Sequence, residues 1–227
     1  GAGRIGTIHA GNVARHPRAR LRYVVDVNAA AAEALAARYG AQTSSVEAVL
    51  ADPAVGAVLI CSSTDTHADL IQRAAAAGKA IFCEKPVDLD VERAHACAAA
   101  VREAGVTCMI GFQRRFDPTF AALKRRLDAG EIGAPEMLVI TSRDPAPPPA
   151  SYLAHSGGVF KDMLIHDFDI FRWILDGEAV SIHATGGCPG LPDVAAAGDL
   201  SHTAVTLRTR NGALCQINTS RRAAYGY

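Results

Sequence analysis

At 227 residues the chain is long enough for one large domain or two modest ones, and its 49% hydrophobic content supports a substantial core and excludes a disordered protein. Its 23 basic and 23 acidic residues cancel, so bulk electrostatics favours neither nucleic acid nor an anionic membrane as partner. No stretch approaches the ~18 consecutive apolar residues of a membrane span and no signal peptide is visible. The six cysteines (Cys61, Cys83, Cys97, Cys108, Cys188, Cys215) contain no Cys-x-x-Cys pair, which fits buried, reduced thiols in a cytoplasmic protein.

Gly1-Ala2-Gly3-Arg4-Ile5-Gly6 forms a Gly-x-Gly-x-x-Gly pattern, followed by a helix expected over residues 5–15 and ending before Pro17. In a dinucleotide-binding fold this turn follows a strand and opens a helix. No strand precedes it here, so the motif alone carries little weight. Residues 21–26 strengthen it, reading as a buried strand ending in Asp26. That acid stands 20 residues after Gly6, the spacing of a carboxylate that binds the ribose hydroxyls. Glycines let the backbone approach a pyrophosphate, and the helix offers it unpaired N–H groups. An acid at the strand tip accepts a 2′-OH and repels a 2′-phosphate, and Val27 and Asn28 supply no Arg to welcome one. NAD is therefore expected over NADP.

Strands and helices then alternate. A helix is expected at 29–39 with Gly40 as its stop, a short strand at 41–44 and a short helix at 46–50. The continuous apolar run 57–61 suits a strand buried on both faces. It leads into Ser62-Ser63-Thr64-Asp65-Thr66-His67, a polar loop at the strand's carboxyl end, where ligands bind in open α/β sheets. A helix at 70–77 and a strand at 80–83 follow, the latter delivering Glu84-Lys85-Pro86 to the same edge. A helix at 90–104 and a strand at 107–111 complete a doubly wound parallel sheet. Lys85 reads either as solvated surface or as a positioned ammonium, and Pro86 favours the second by fixing the backbone. For His67, a place near phosphate or nicotinamide and a structural role weigh about equally.

The character changes after residue 112, giving domains at 1–112 and 113–227. Phe112-Gln113-Arg114-Arg115-Phe116-Asp117-Pro118 is a basic, aromatic lead into a helix at 119–129. One of Arg114 and Arg115 is expected to pair with Asp117, the other to be open to a ligand. A strand at 136–143 and the stiff Asp144-Pro145-Ala146-Pro147-Pro148-Pro149 follow. Strands at 180–185, 201–209 and 213–219 come later, the last two joined around Asn211-Gly212, a hairpin signal. These elements make an α+β domain with an open, mostly antiparallel sheet.

Between them lies the run from Gly157 to Trp173. Read as one helix at about 100° per residue, it gathers Met163, Leu164, Phe168, Phe171, Ile174 and Leu175 on one face, and Asp162, His166, Asp169 and Trp173 opposite. An acid four residues from an imidazole is its neighbour on a helix and favours its protonated form, making His166 a proton acceptor near neutral pH. An ordinary amphipathic helix gives the same pattern. A metal-dependent hydrolase cluster of His155, Asp162, His166 and Asp169 is a competing reading.

In combination, Gly1–Gly6, Asp26, the Ser62–His67 loop, Glu84-Lys85-Pro86, Arg114-Arg115-Phe116-Asp117 and Asp162-x-x-x-His166 resemble the glucose–fructose oxidoreductase and inositol dehydrogenase family. Residues 144–149, the segment 160–169 and Arg221-Arg222-Ala223-Ala224-Tyr225-Gly226-Tyr227 resemble its inositol dehydrogenase branch. The resemblance implies an N-terminal Rossmann domain and a C-terminal domain whose open sheet builds homo-oligomers, usually tetramers. It also implies oxidation of a ring hydroxyl of a cyclic polyol by NAD, with myo-inositol giving 2-keto-myo-inositol (scyllo-inosose), in inositol catabolism. Another inositol isomer or a sugar is the alternative substrate. Carried over residue by residue, Lys85, Asp162 and His166 are catalytic. Gly1, Gly3, Arg4, Ile5, Gly6, Asp26, Ser62, Ser63, Thr64, His67, Glu84 and Lys85 bind the cofactor. Lys85, Arg115, Asp162, His166 and Tyr227 bind substrate, and no metal is expected. The family also places a strand before Gly1 and further strands after Tyr227. On that pattern a chain of roughly 330 residues is expected, an ordinary two-domain length, with the present 227 residues folding poorly alone.

Overall fold

The computed structural model describes residues 1–225, and the chain divides into two compact units, 1–111 and 112 onward. In the first unit the elements are α1 (Arg4–Arg15), β1 (Tyr23–Val24), α2 (Ala29–Tyr39), β2 (Gln42–Thr43), α3 (Val46–Ala51), β3 (Ala57–Ile60), α4 (His67–Ala76), β4 (Ala80–Cys83), α5 (Val91–Ala104) and β5 (Cys108–Ile110). Every strand pair is parallel, β1 with β2 and β3 with β4 with β5. This is a Rossmann-type α/β fold. Among the described residues its strands form two separate ladders rather than one sheet.

Local chemistry sets the helix ends. The Asn28 side chain accepts the Ala31 N–H and Asp90 accepts those of Glu92 and Arg93, satisfying donors that a helix start leaves open. Gly40 closes α2 at φ 65° in the left-handed region, where a Cβ is strained. Ala68, Ile71, Ala74 and Ala75 on α4 pack beneath Ile60, Ile81 and Cys83. Three expectations need correction. The strand within 57–61 is not buried on both faces, because Ala57 and Leu59 are exposed, Leu59 at 40%. The strand predicted over 21–26 pairs only at Tyr23–Val24, because its sole ladder partner, β2, is itself two residues long. Helix α4 starts at His67 rather than residue 70, behind a 3₁₀ turn at Thr64–Thr66.

The second unit begins with a 3₁₀ turn at Gln113–Phe116 and continues through α6 (Pro118–Asp128), β6 (Met137–Arg143), α7 (Ala150–Leu153), α8 (Gly158–Asp162) and α9 (Leu164–Leu175). It then runs through β7 (Ala179–Gly187), α10 (Pro192–Ala196), β8 (His202–Thr209) and β9 (Leu214–Ser220). The sheet order is β6-β9-β8-β7, parallel between β6 and β9 and antiparallel elsewhere. The β8–β9 hairpin turns at Gly212, φ 93°. Strict alternation along β8 sends Val205 and Leu207 inward, where with Ile217 they meet Leu164, Ile170 and Phe171 of α9. Burying each such side chain contributes roughly 1.5–3 kcal/mol. The opposite face of the sheet is open, with Met137, Val139 and Leu214 exposed.

The single helix expected from Gly157 is two. Gly157 and Gly158 both hold positive φ (78° and 79°), α8 ends at Asp162, and Met163 breaks the run before α9. Met163, Leu164, Phe171, Ile174 and Leu175 are buried as the wheel predicts, while Phe168 is only partly so. The short helices α7 and α10 fall in stretches to which the sequence reading assigned no helix or strand.

Candidate active site

The glycine turn at the start of α1 is shaped by contact on two sides and by space on the third. A Cβ on Gly1 would stand 2.3 Å from the Cys61 carbonyl oxygen, and one on Gly6 would stand 2.0 Å from that of Gly1. No side chain is tolerated at either without moving backbone. Gly3 is different, because a Cβ there meets nothing within 4 Å. Gly3 is also the N-cap of α1, and no side chain caps the helix. Arg4 and Ile5 form the first turn behind it. A helix start with uncapped N–H groups beside open space is a cradle for an anion, and a pyrophosphate fits it.

Asp26 closes the cradle's other side. Its Oδ2 accepts the Ala2 N–H at 2.6 Å and its Oδ1 the Asn28 N–H at 2.8 Å. These bonds, led by that from Ala2, hold its carboxyl below the usual carboxylate range, so it stays an anion with lone pairs left for ribose hydroxyls.

Ser62 sits against the same turn, since Gly1 packs on Cys61 and Ser62, and Ser63 and Thr64 follow it in the chain. The Ser62 and Thr66 hydroxyls bond at 2.6 Å, and the Ser63 carbonyl accepts the Thr66 N–H at 3.0 Å. His67 is 1% exposed, with Nδ1 2.7 Å from the Pro86 carbonyl oxygen and Nε2 3.1 Å from that of Ser62. Its ring is thereby occupied in tying the Ser62 loop to the Glu84-Lys85-Pro86 turn, the structural side of the two readings. Glu84 bonds Nε2 of His9 on α1 at 2.6 Å. Sequence reasoning missed His9, whose partner lies 75 residues away. Lys85 is half-buried at the tip of β4.

In the second unit the predicted polar face is redistributed. Asp162 ends α8 with Oδ1 accepting the Tyr152 hydroxyl at 2.9 Å and Oδ2 accepting Nη2 of Arg221 at 3.1 Å. His166, half-buried in the first turn of α9, meets the Phe112 ring edge-on at 6.4 Å. Its neighbour Asp167 is fully buried and bonded to Ser142 (2.6 Å) and to Arg114. Asp117 pairs with neither arginine and instead caps α6, accepting from Thr119 and Phe120. The pairing expected there is therefore corrected. Arg115 grips Asp169 through Nε and Nη2 at 2.8 and 2.6 Å and lies 5.7 Å over the Trp173 ring. Asp169 and Trp173 thus serve an arginine, not a continuous reactive face with His166. Tyr227 lies outside the described residues.

Among the described residues no group of three or more His, Cys, Asp or Glu side chains is arranged to hold a metal ion. Asp162 is bonded to Arg221 and Tyr152, and Asp169 to Arg115, so these side chains are not gathered into the cluster that the hydrolase reading needs. Sequence reading gave no role to Arg221, named only within a motif, or to Asp199. Strand parity carries the signal for Arg221, because Cys215, Ile217 and Thr219 are all buried and Arg221 continues the odd-numbered series.

A parallel α/β unit with an open glycine cradle and a strand-tip carboxylate defines an NAD-binding oxidoreductase of Rossmann type. The chain belongs to the GFO/IDH/MocA family. Residues 1–112 match its oxidoreductase domain with NAD-binding Rossmann fold, and residues 120–227 match the GFO/IDH/MocA C-terminal domain. It is 50% identical to an inositol 2-dehydrogenase of Rhizobium meliloti over all of this chain and 69% of that relative. A solved myo-inositol dehydrogenase from Corynebacterium glutamicum superposes with a TM-score of 0.95 at 43% identity, over 100% of this chain and 68% of the other. A scyllo-inositol dehydrogenase from Lactobacillus casei, solved with NAD(H) and scyllo-inositol, gives 0.91 at 31% identity, over 100% and 69%. Among the described residues no helix is long and apolar enough to cross a membrane.

Proposed function

We propose that this protein oxidises the C2 hydroxyl of myo-inositol to the ketone, giving 2-keto-myo-inositol. The observation that carries this reading is the match along the whole chain to inositol 2-dehydrogenases, taken with the open cradle at Gly3 and the acid and imidazole at Asp162 and His166. When bound, NAD supplies the acceptor for the hydride leaving the ring carbon. The remaining work falls to side chains. Alcohol oxidation needs a base for the hydroxyl proton, and His166 takes it. It needs a cation where alkoxide charge develops, and Lys85 supplies it while orienting the nicotinamide ribose. Asp162 holds neighbouring hydroxyls of the ring and orients the imidazole. Gly1, Gly3, Arg4, Ile5 and Gly6 receive the pyrophosphate, and Asp26 receives the adenosine ribose. Ser62, Ser63 and Thr64 line the same edge. His67 and Glu84 brace the cofactor-binding unit, and Arg115 holds Asp169 in the other unit, through the partners described above.

A second reading changes only the isomer. A relative at 41% identity is a scyllo-inositol 2-dehydrogenase (NAD(+)) of Bacillus subtilis, so ring-hydroxyl stereochemistry varies within close relatives. We also infer assembly into a homotetramer through the open sheet face that exposes Met137, Val139 and Leu214, and residence in the cytoplasm, where the six free cysteines stay reduced. Steady-state rates with myo-inositol, scyllo-inositol and glucose, each with NAD and NADP, test the proposal. Myo-inositol with NAD is expected to give the highest kcat/KM. A preference for glucose, or for NADP, would overturn it.

A further inference from the structure

We propose that Arg221 is a positioning residue that fixes the Asp162 carboxylate for the polyol, with Asp199 holding the guanidinium from its other side; this rests on the role given to Asp162 above. Arg221 follows β9 directly and keeps the inward parity of Cys215, Ile217 and Thr219, so a charged group arrives where apolar side chains stand before it. It is 1% exposed, and its backbone N–H donates to the Ser201 carbonyl at 2.7 Å, fixing the root of the side chain. Nη1 donates to Asp199 Oδ2 at 2.7 Å and Nη2 to Asp162 Oδ2 at 3.1 Å.

Asp199 is itself anchored. It is buried, and its Oδ1 accepts the Val159 N–H at 2.8 Å and the Leu200 N–H at 2.8 Å. Val159 belongs to α8 and Asp162 ends it. One planar guanidinium therefore spans two carboxylates tied to the same short helix, one near its start and one at its end. A rigid fork of this kind fixes the separation and orientation of both partners, which a single ammonium cannot do. The Tyr152 hydroxyl meets the remaining Asp162 oxygen at 2.9 Å, so the carboxylate is held from both sides. Buried ion pairs rarely add stability over an apolar replacement. What this one supplies is a fixed place for the acid.

The test uses the full-length, NAD-loaded enzyme carrying Arg221→Gln, Arg221→Lys or Asp199→Asn, alone and combined with Asp162→Asn. The readouts are NAD dissociation constant, Tm, and kcat and KM for myo-inositol. Displacing a substrate-holding group by about 1 Å costs roughly 10²-fold, and a loss of that order in kcat/KM is expected for Arg221→Gln and Asp199→Asn with NAD affinity unchanged. Arg221→Lys should recover part of the loss. On the Asp162→Asn background the second substitution should lower Tm but not kcat/KM. Folded variants with wild-type kcat/KM, or with losses as large on the Asp162→Asn background as off it, would overturn the proposal and leave Arg221 as a buried counter-charge. Where Arg221→Gln does not fold, Asp199→Asn decides alone, because it leaves the arginine in place. A wild-type rate for Asp162→Asn by itself would instead defeat the role of Asp162, a separate failure.

Discussion

Two carboxylates in this molecule are pushed in opposite directions, and the causes are visible in their neighbours. Asp26 accepts two backbone N–H groups and is held below the ordinary range. Its stabilising contribution is present above the unfolded value, about 3.9, and is lost as pH falls through the depressed folded one. Asp144 sits just beyond β6, where its backbone N–H donates to Ser220 and its carbonyl accepts from Ala223. Burial raises its pKa, and the charges of Asp162 and Asp167 add to the rise against the counter-pull of Arg221 and Arg114. The sign is therefore reversed. Stability is fullest below the unfolded value and is lost as pH rises through the folded one, so ionised Asp144 destabilises the neutral-pH fold. Asp144→Asn is expected to raise Tm at pH 7 relative to wild type, with the gap closing below about pH 4. Melting curves across that range check it, and a gap independent of pH would refute the assignment.

At the scale of elements, the α1 turn separates glycines that the fold requires from the one that a ligand requires. Gly6→Ala forces a methyl into the Gly1 carbonyl, and overpacking of this kind costs roughly 1–3 kcal/mol. Gly3→Ala meets open space at an ordinary φ of −72°. It should leave Tm near wild type while weakening NAD binding by about tenfold or more, since the methyl fills the anion cradle. Thermal melts and NAD titration distinguish the two, and unchanged NAD affinity in Gly3→Ala would contradict the cradle. The same scale shows what the sequence could and could not reveal. Two alternating runs around Asn211-Gly212 foretold the β8–β9 hairpin, because turn chemistry and strand parity are local. Gly40 marked a helix end, because a left-handed stop is local too. The wheel drawn from Gly157 placed its apolar face correctly but not its polar one, because it assumed one unbroken helix. At Met163 the His166 N–H reaches back only three residues, at 3.3 Å, and the phase slips. The partners of Asp162, Arg115 and Glu84 were out of reach because Arg221, Asp169 and His9 are brought in by the fold from 59, 54 and 75 residues away.

At the scale of the whole chain, a cofactor-binding unit and a unit carrying the acid and imidazole are joined in one polypeptide, the arrangement of its family. Burial pushes Cys61 up to about 11 and Cys215 to about 12, leaving both protonated and unreactive near neutral pH. The reaction therefore turns on whether the half-buried imidazole at the start of α9 removes the polyol proton. The direct measurement is NADH formation from myo-inositol by wild type and His166→Ala at saturating NAD, with NAD affinity measured alongside. If His166 is the base, as proposed, the substitution is expected to lower kcat by roughly 10²–10⁴-fold with NAD binding unchanged. NADH formation at the wild-type rate in that variant would contradict the account.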